Sequence, residues 1–403
     1  MMPYTELKKV YYSDPEHYKE IYHQRYNSPY AQHIDFEIGQ APAFFVVTPE
    51  IQSHMLAIQK LDKKILLVCG DLPGVALDHF STRCLIDEII LTNGIEGVHS
   101  TRREIDGVLT SLGKHDKRMR FQGLVQKYLM LRSNEEIPLQ TCEDIRKIYD
   151  DLVLNEITEG DQKDIPDGII FRKGSVSVQS STQREIHRGL YPESEIIAAM
   201  KKALAYLNDG SVELLYRISV FHYLLGYIHP FYDGNGRLNR FISSYLLTEE
   251  LHPFLSYRLS YTIQENLREY YNGFKICNHP KNAGDLTPFV QMFLKIIQES
   301  IEQLYSALNK RADQLHYYAK KRKHLPYSND PVFAEIYFLL IQAELFSDHG
   351  ISTQELLKNL NFGRATLRTK LKQISEAGLL KSTQHKREKY YGIDLEALEQ
   401  YGG

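Results

Sequence analysis

One stretch constrains this 403-residue chain more than any other: SVELLYRISVFHYLLGYI, residues 211–228. Leu214, Leu215, Ile218, Phe221, Leu225 and Ile228 recur at helical spacing, with little polar relief between them. A helix apolar on nearly every side belongs inside a core. It runs directly into HPFYDGNGRLNR, His229 to Arg240. RLNRFISSYLL then resumes a helical stripe through Leu238, Phe241, Ile242 and Tyr245. A glycine-rich loop is therefore pinned between a buried helix and the first turn of a second one.

The residue types in that loop suit one kind of chemistry. Gly234 and Gly236 permit positive φ and close approach of a ligand to the backbone. The following helix offers unpaired N–H groups at its start, so loop and helix together form an anion nest suited to phosphate. Arg237 and Arg240 lie three apart on one face and can clamp phosphate oxygens. Asp233 could hold a Mg2+ shared with those phosphates. His229 can take a proton near neutral pH. The constellation points to phosphoryl or nucleotidyl transfer. It is not a Walker A loop, because no Gly-Lys-Ser/Thr follows, and it is not GxGxxG, because Asn239 holds the last place. An ordinary turn with incidental arginines explains any one feature but not all of them in one run.

The rest of the chain is mostly helical in pattern. Thr48 and Pro49 read as a cap and first-turn pair. FSTRCLIDEIILTNGIEG carries a stripe through Leu85, Ile86, Ile89 and Ile90, with Gly97 suited to the helix end. Thr101 and Glu104 read as a capping box. ESEIIAAMKKALAYL is a further helix. GIIFRKGSVSVQSS alternates instead and reads as a short hairpin or flap. YAKKRKHLPYSND reads as a basic linker. Beyond it come a helix from Ser352, a turn around Asn361 to Arg364, a helix to Ala377 capped by Gly378, and two strand-like runs about HKREK. The expected division is 1–110, 111–305, 306–330 and 331–403. The net charge of −3 gives no overall pull toward nucleic acid or membrane, so any such bias is local. Residues 352–391 carry one, with nine lysines and arginines against three acids, a net +6. Four cysteines without a CxxC pair suggest reduced thiols in a cytoplasm. The start of the chain lacks a signal-peptide core, and no apolar run approaches the roughly 20 residues of a membrane span. No internal repeat is visible.

HPFYDGNGRLNR matches HxFx(D/E)GNGRxxR at every specified position and so resembles the Fic family, the likeness extending over roughly residues 45–300. The resemblance implies an all-α core with a short β-hairpin flap. It implies transfer of AMP from ATP to a Ser, Thr or Tyr hydroxyl, on a target protein or on the enzyme itself, with release of pyrophosphate. His229 would be the general base and Asp233 the Mg2+ ligand. Gly234, Asn235 and Gly236, with Leu238 and Asn239, would form the ATP-binding segment. Arg237 and Arg240 would hold the β- and γ-phosphates, and Phe231 would anchor the loop. FRKGSVSVQ is similar to the family's flap, with Val176, Ser177, Val178 and Gln179 placed to pair with an extended target segment. YYNGFKICN resembles the adenine-pocket segment, with Tyr270 and Asn278 at the matching places; a plain core tyrosine is the alternative for Tyr270. TNGIEG, Thr92 to Gly97, resembles the family's inhibitory motif in the class where the inhibitory helix precedes the core. There Glu96 would pair with Arg240 and misplace ATP. Independently, a carboxylate at a helix C-terminus is disfavoured by about 0.3–1 kcal/mol unless a cation meets it.

Three rival functions remain at this level. One is the reverse hydrolysis, with Glu96 positioning water. Another is transfer from a different nucleotide donor. The third is a DNA-binding regulator whose Fic core only senses nucleotide, against which an intact His229 speaks. The C-terminal part resembles a winged helix-turn-helix, with ATLRTKLKQISEAG as recognition helix carrying Arg364, Arg368 and Lys372, and QHKREKYY as wing. It would bind DNA or dock a protein. The expected partners are ATP, a hydroxyl-bearing protein, and DNA or protein at the C-terminal part, with no membrane; a homodimer is left open.

Overall fold

The apolar stretch folds as a helix over Leu214–Ile228, buried at Leu215, Ile218, Phe221, Leu225 and Ile228 among others. In the computed structural model, residues 4–112, 119–133, 135–159, 162–179, 185–385 and 388–401 are described. The chain divides into two compact units, residues 1–62 with 86–302, and residues 63–85 with 303–403.

The first unit is helical around that buried helix. Glu193–Leu207 and Asn235–Leu247 pack against it, and Leu259–Glu265, Leu267–Cys277 and the start of Thr287–Lys321 complete the surround. The expected capping box of Arg102–Ser111 is present, with Glu104 N donating to Thr101 Oγ1 and Thr101 N to Glu104. Thr48 Oγ1 accepts from Ile51 N at the start of Pro49–Asp71. Two small antiparallel pairs interrupt the helices. One is the flap, Ser177–Gln179 with Glu185–Arg188, in register Ser177 to Arg188 and Val178 to His187. The intervening part of the expected flap, Ser180 and Ser181 included, lies outside the described residues. The other pair was not expected. Ala31–Ile38 pairs with Ala41–Val46, ahead of the first helix expected from the sequence. Its inward face is Ile34, Phe36 and Ile38, with Asp35 and Glu37 outward.

The second unit contains the helices Pro331–Phe346, Thr353–Asn359 and Arg364–Glu376 and a three-stranded sheet. In that sheet Glu388–Ile393 lies between Ile351–Ser352 and Leu380–His385. Gly378 takes φ 74° after the third helix, as expected of its cap. Residues 63–85 belong here through Phe80 edge-on to Phe346, His79 Nε2 3.2 Å from Glu355, and Arg83 3.1 Å from Asp348. The basic stretch read as a linker is built into this unit. Its first residues lie in the helix Thr287–Lys321, followed by a 3-10 turn at Arg322–His324. Arg322 lies 4.4 Å over the ring of Phe338, so its charged stem covers apolar surface, and residues 325–330 follow as turns. Among the described residues no helix is long and apolar enough to cross a membrane.

Candidate active site

The site begins where the buried helix stops. His229 follows Ile228 with φ 52°, in the left-handed region that a residue with a Cβ seldom adopts. Three contacts shape the loop after it. The Asn235 side chain closes it on itself, with Oδ1 accepting from Phe231 N (3.0 Å) and Nδ2 donating to Phe231 O (2.8 Å). The Phe231 ring stacks on Tyr149 with centroids 3.6 Å apart, the anchor expected of it. Gly234, at φ 80°, caps the helix Asn235–Leu247. Asn235 thus shapes the loop through its own backbone, and Asn239 donates to His222 O (2.7 Å) while Leu238 is buried. Leu238 and Asn239 therefore face the core, and any part they take in binding is through the backbone.

The two arginines are brought to the loop, but in carboxylate company. Arg237 is 1% exposed and donates from Nη1 to Glu156 (2.8 Å) and from Nη2 to Asp233 (3.3 Å), while its Nε has no partner among the described residues. Arg240 is equally buried. It donates to Thr92 Oγ1 (2.8 Å) and Thr92 O (2.9 Å), and its Nη1 lies 2.8 Å from Glu96 Oε1. Both acceptors sit at the end of the helix Gly74–Ile95, which Gly97 terminates at φ 73°. Gly236 has no positive φ; its role is space, since a Cβ there would clash with the Glu96 carboxylate. Glu96 therefore rests against the first turn of the helix Asn235–Leu247, where unpaired N–H groups and the dipole favour an anion.

Burial tunes the ionisable groups. His229 is lowered to about 4, by desolvation first and then by the nearby His187 and Arg172, so the ring is neutral at physiological pH. His222 is held neutral still more firmly by its burial and by Arg240, and bridges Ser243 (2.7 Å) and Tyr270 (2.7 Å). Tyr270 thus belongs to a buried network beside Arg240, and Asn278 accepts from Tyr223 (2.6 Å). Glu88, one turn before Thr92, is fully buried and raised to about 7 by desolvation, although Ser260 N donates to it and Arg240 and Arg258 lie near. Of the flap residues, Val176 and Ser177 are part-buried, and Val178 and Gln179 are placed by backbone pairing. Sequence reading missed Glu156, Glu88 and Arg172. The only signal for the last was an arginine inside the flap pattern.

Residues 139–247 match the family model described as Fic/DOC family. The chain carries a Fic domain. It is 26% identical over 178 residues to protein adenylyltransferase fic-1 of Caenorhabditis elegans, covering 43% of this chain and 33% of that one. It is 24% identical over 274 residues to protein adenylyltransferase Fic of Aedes aegypti, covering 63% and 49%. The chain thus spans less than half of the length of either relative. In fold, the chain is similar to a solved Fic family protein from Desulfovibrio desulfuricans, with a TM-score of 0.51 at 19% identity, over 87% of this chain and 97% of the other.

Proposed function

We propose that the Fic domain moves AMP from ATP to a hydroxyl of a protein, its own or a target's, and that Glu96 restrains it. One observation carries this reading: a carboxylate is seated on Gly236 and ion-paired to Arg240, where helix N-terminus and guanidinium suit a phosphate. In the reaction, His229 takes the proton of the attacking hydroxyl. The oxygen forms a bond to the α-phosphorus, the bond to the bridging oxygen breaks, and pyrophosphate leaves. Catalysis of this kind is mainly alignment and charge neutralisation. With Arg240 committed to Glu96, the γ-phosphate lacks its clamp and the α-phosphorus sits off the line of attack. Freed, Arg240 and Arg237 hold the phosphates while Tyr270 and Asn278 lie beside the base. The flap supplies an edge along which an extended segment can pair.

Asp233 suits a Mg2+ that arrives with the phosphates. Its side chain is 45% exposed beside the loop, and one oxygen already accepts from Gly234 N (2.6 Å). Among the described residues no group of three His, Cys, Asp or Glu could hold a metal ion alone, which fits an ion that draws most ligands from phosphate and water. Bound there, it would neutralise charge gathering on the leaving pyrophosphate. The four cysteines are buried and none is in a disulfide among the described residues, which fits a reducing compartment such as a cytoplasm.

The deciding experiment incubates wild type, Glu96→Gly and Glu96→Gly/His229→Ala with labelled ATP and reads self-labelling by autoradiography. Glu96→Gly should label far faster than wild type. Adding His229→Ala should lower the rate by about 10²–10⁴-fold, the usual worth of a positioned base. A Glu96→Gly protein that binds ATP yet labels no faster than wild type refutes the restraint. A fall in AMP turnover would favour the hydrolytic reading, in which the same carboxylate orients water.

For the C-terminal unit we propose a winged helix-turn-helix that binds duplex DNA. Arg364, Arg368 and Lys372 are exposed along one helix and line a single cleft with Lys389 of the second long strand. Retention on a duplex should then fall steeply with salt as counterions are released. No retention on the duplex at low salt would favour a protein-docking role.

A further inference from the structure

Arg172 is fully buried, and no carboxylate is among its described partners. Its guanidinium is spent on carbonyl oxygens instead. Nε and Nη2 donate to His229 O (3.0 and 2.8 Å), Nη2 also to Leu190 O (2.8 Å), and Nη1 to Gly174 O. Its own N–H donates to Pro230 O (3.2 Å). The three segments so joined are the arm of chain leading into the flap, the arm leading out, and the start of the glycine-rich loop. Backbone bonds run between the same segments, from Gly189 N to Val176 O (3.1 Å) and from Leu190 N to Ile228 O (3.1 Å).

We infer that Arg172 is a positioning residue that fixes the imidazole of His229 relative to the flap, so that a hydroxyl carried along the flap meets the base. The inference rests on the reading of His229 as that base. Burying an unpaired cation costs several kcal/mol, so a chain that only needed a loop tied down would use a neutral donor. A guanidinium offers five N–H groups in a rigid fork, which lets one side chain reach three segments. It also holds a strained backbone conformation, φ 52° at His229, of a kind that persists where surroundings over-determine it. Gly189 provides the room. A Cβ there would lie 2.5 Å from Arg172 Nη2 and 3.0 Å from His229 Cβ. The charge has a second effect. Of the groups facing the imidazole, Arg172 and His187 disfavour its protonation and Asp233 favours it.

The test uses the full chain carrying Glu96→Gly, with Arg172→Lys, Arg172→Gln or Gly189→Ala added. Arg172→Lys keeps the charge and loses the fork; Gly189→Ala removes no atom and presses the guanidinium away from the histidine. Both should lower kcat by about 10²-fold, the order expected of an ångström of misplacement, with KM for ATP unchanged. Two-dimensional NMR of the imidazole nitrogens, in protein without nucleotide, should show the His229 signals displaced in both variants. In Arg172→Gln the His229 titration midpoint should rise modestly above about 4, since burial and His187, the larger causes, remain. Unchanged kcat in both Arg172→Lys and Gly189→Ala overturns the inference. So does a loss confined to ATP affinity. Should Glu96→Gly transfer nothing at all, the functional reading fails, and the NMR arm still decides whether Arg172 positions the ring.

Discussion

The arginines of the two units are used in opposite ways. In the Fic unit, Arg237 and Arg240 are each 1% exposed and committed to carboxylates at 2.8 Å. In the C-terminal unit, Arg364 and Arg368 stand exposed with no ion pair among the described residues. A buried cation is costly to leave without partners, and where that partner is a carboxylate an anion such as phosphate is its natural replacement. An exposed cation is hydrated, loses little by remaining unpaired, and acts through field and counterion release. The same residue type therefore suits an exchangeable internal anion seat in one place and an open electrostatic face in the other.

The largest expected effect lies on the buried side. In a Glu96→Gly background, Arg240→Ala should lower transfer by a further 10²–10³-fold, roughly the loss on removing one preorganised charge stabiliser. Glu96→Gly/Arg240→Ala should be no faster than Arg240→Ala alone, because the carboxylate has no restraint left to exert. A double variant that labels as fast as Glu96→Gly would break the comparison, since Arg240 would then be no phosphate clamp.

An intermediate effect concerns pH. Burial raises Glu88 to about 7, above the unfolded carboxylate value near 4.3. Between these values the folded chain binds the extra proton. The stability this gives is complete below about pH 4.3 and is lost as pH rises through 7. Glu88→Gln should remove that slope, worth a few kcal/mol at most, in urea titrations at pH 5 and pH 8. A wild-type protein whose Glu88-dependent stability grows over this range would show that Arg240 and Arg258 outweigh desolvation.

The smallest effect on folding belongs to the exposed side. Arg364→Ala/Arg368→Ala should leave stability within about 0.5 kcal/mol per site, as for surface changes generally. The slope of log retention on duplex DNA against log salt should shrink by about 2 in magnitude, near one unit per lost phosphate contact. Unaltered retention would remove the open face from the comparison.

Much of this was legible because local chemistry and tertiary role coincide. The helix Leu214–Ile228 has no face to turn to water, Thr101 and Glu104 cap locally, and Gly234 needs its φ, so each is readable from a few neighbours. The N-terminal strand pair was readable in principle. Ile34, Phe36 and Ile38 alternate with Asp35 and Glu37 before Gly39 at φ 64°, a period-2 signal hidden among aromatic residues. The partners were not readable. Glu156 meets Arg237 across 81 positions and Arg172 meets His229 across 57, and no spacing rule spans such distances. Gly236 was expected for positive φ and for close approach to its backbone; it has no positive φ, and what approaches its vacant Cβ position is Glu96, a partner that no spacing rule names.

That vacancy has a consequence for binding equilibria. It admits one negative group at a time, so under the reading above triphosphate binds fully only in the fraction of molecules whose Glu96 has withdrawn. Apparent affinity is the intrinsic affinity scaled by that fraction. Were the carboxylate away one time in a hundred, removing it would tighten nucleotide binding about a hundredfold with no new contact made, a difference of about 2.7 kcal/mol. The dissociation constant of Glu96→Gly divided by that of wild type would then set an upper limit on how often the seat stands vacant, since ATP also binds, misaligned, beside Glu96.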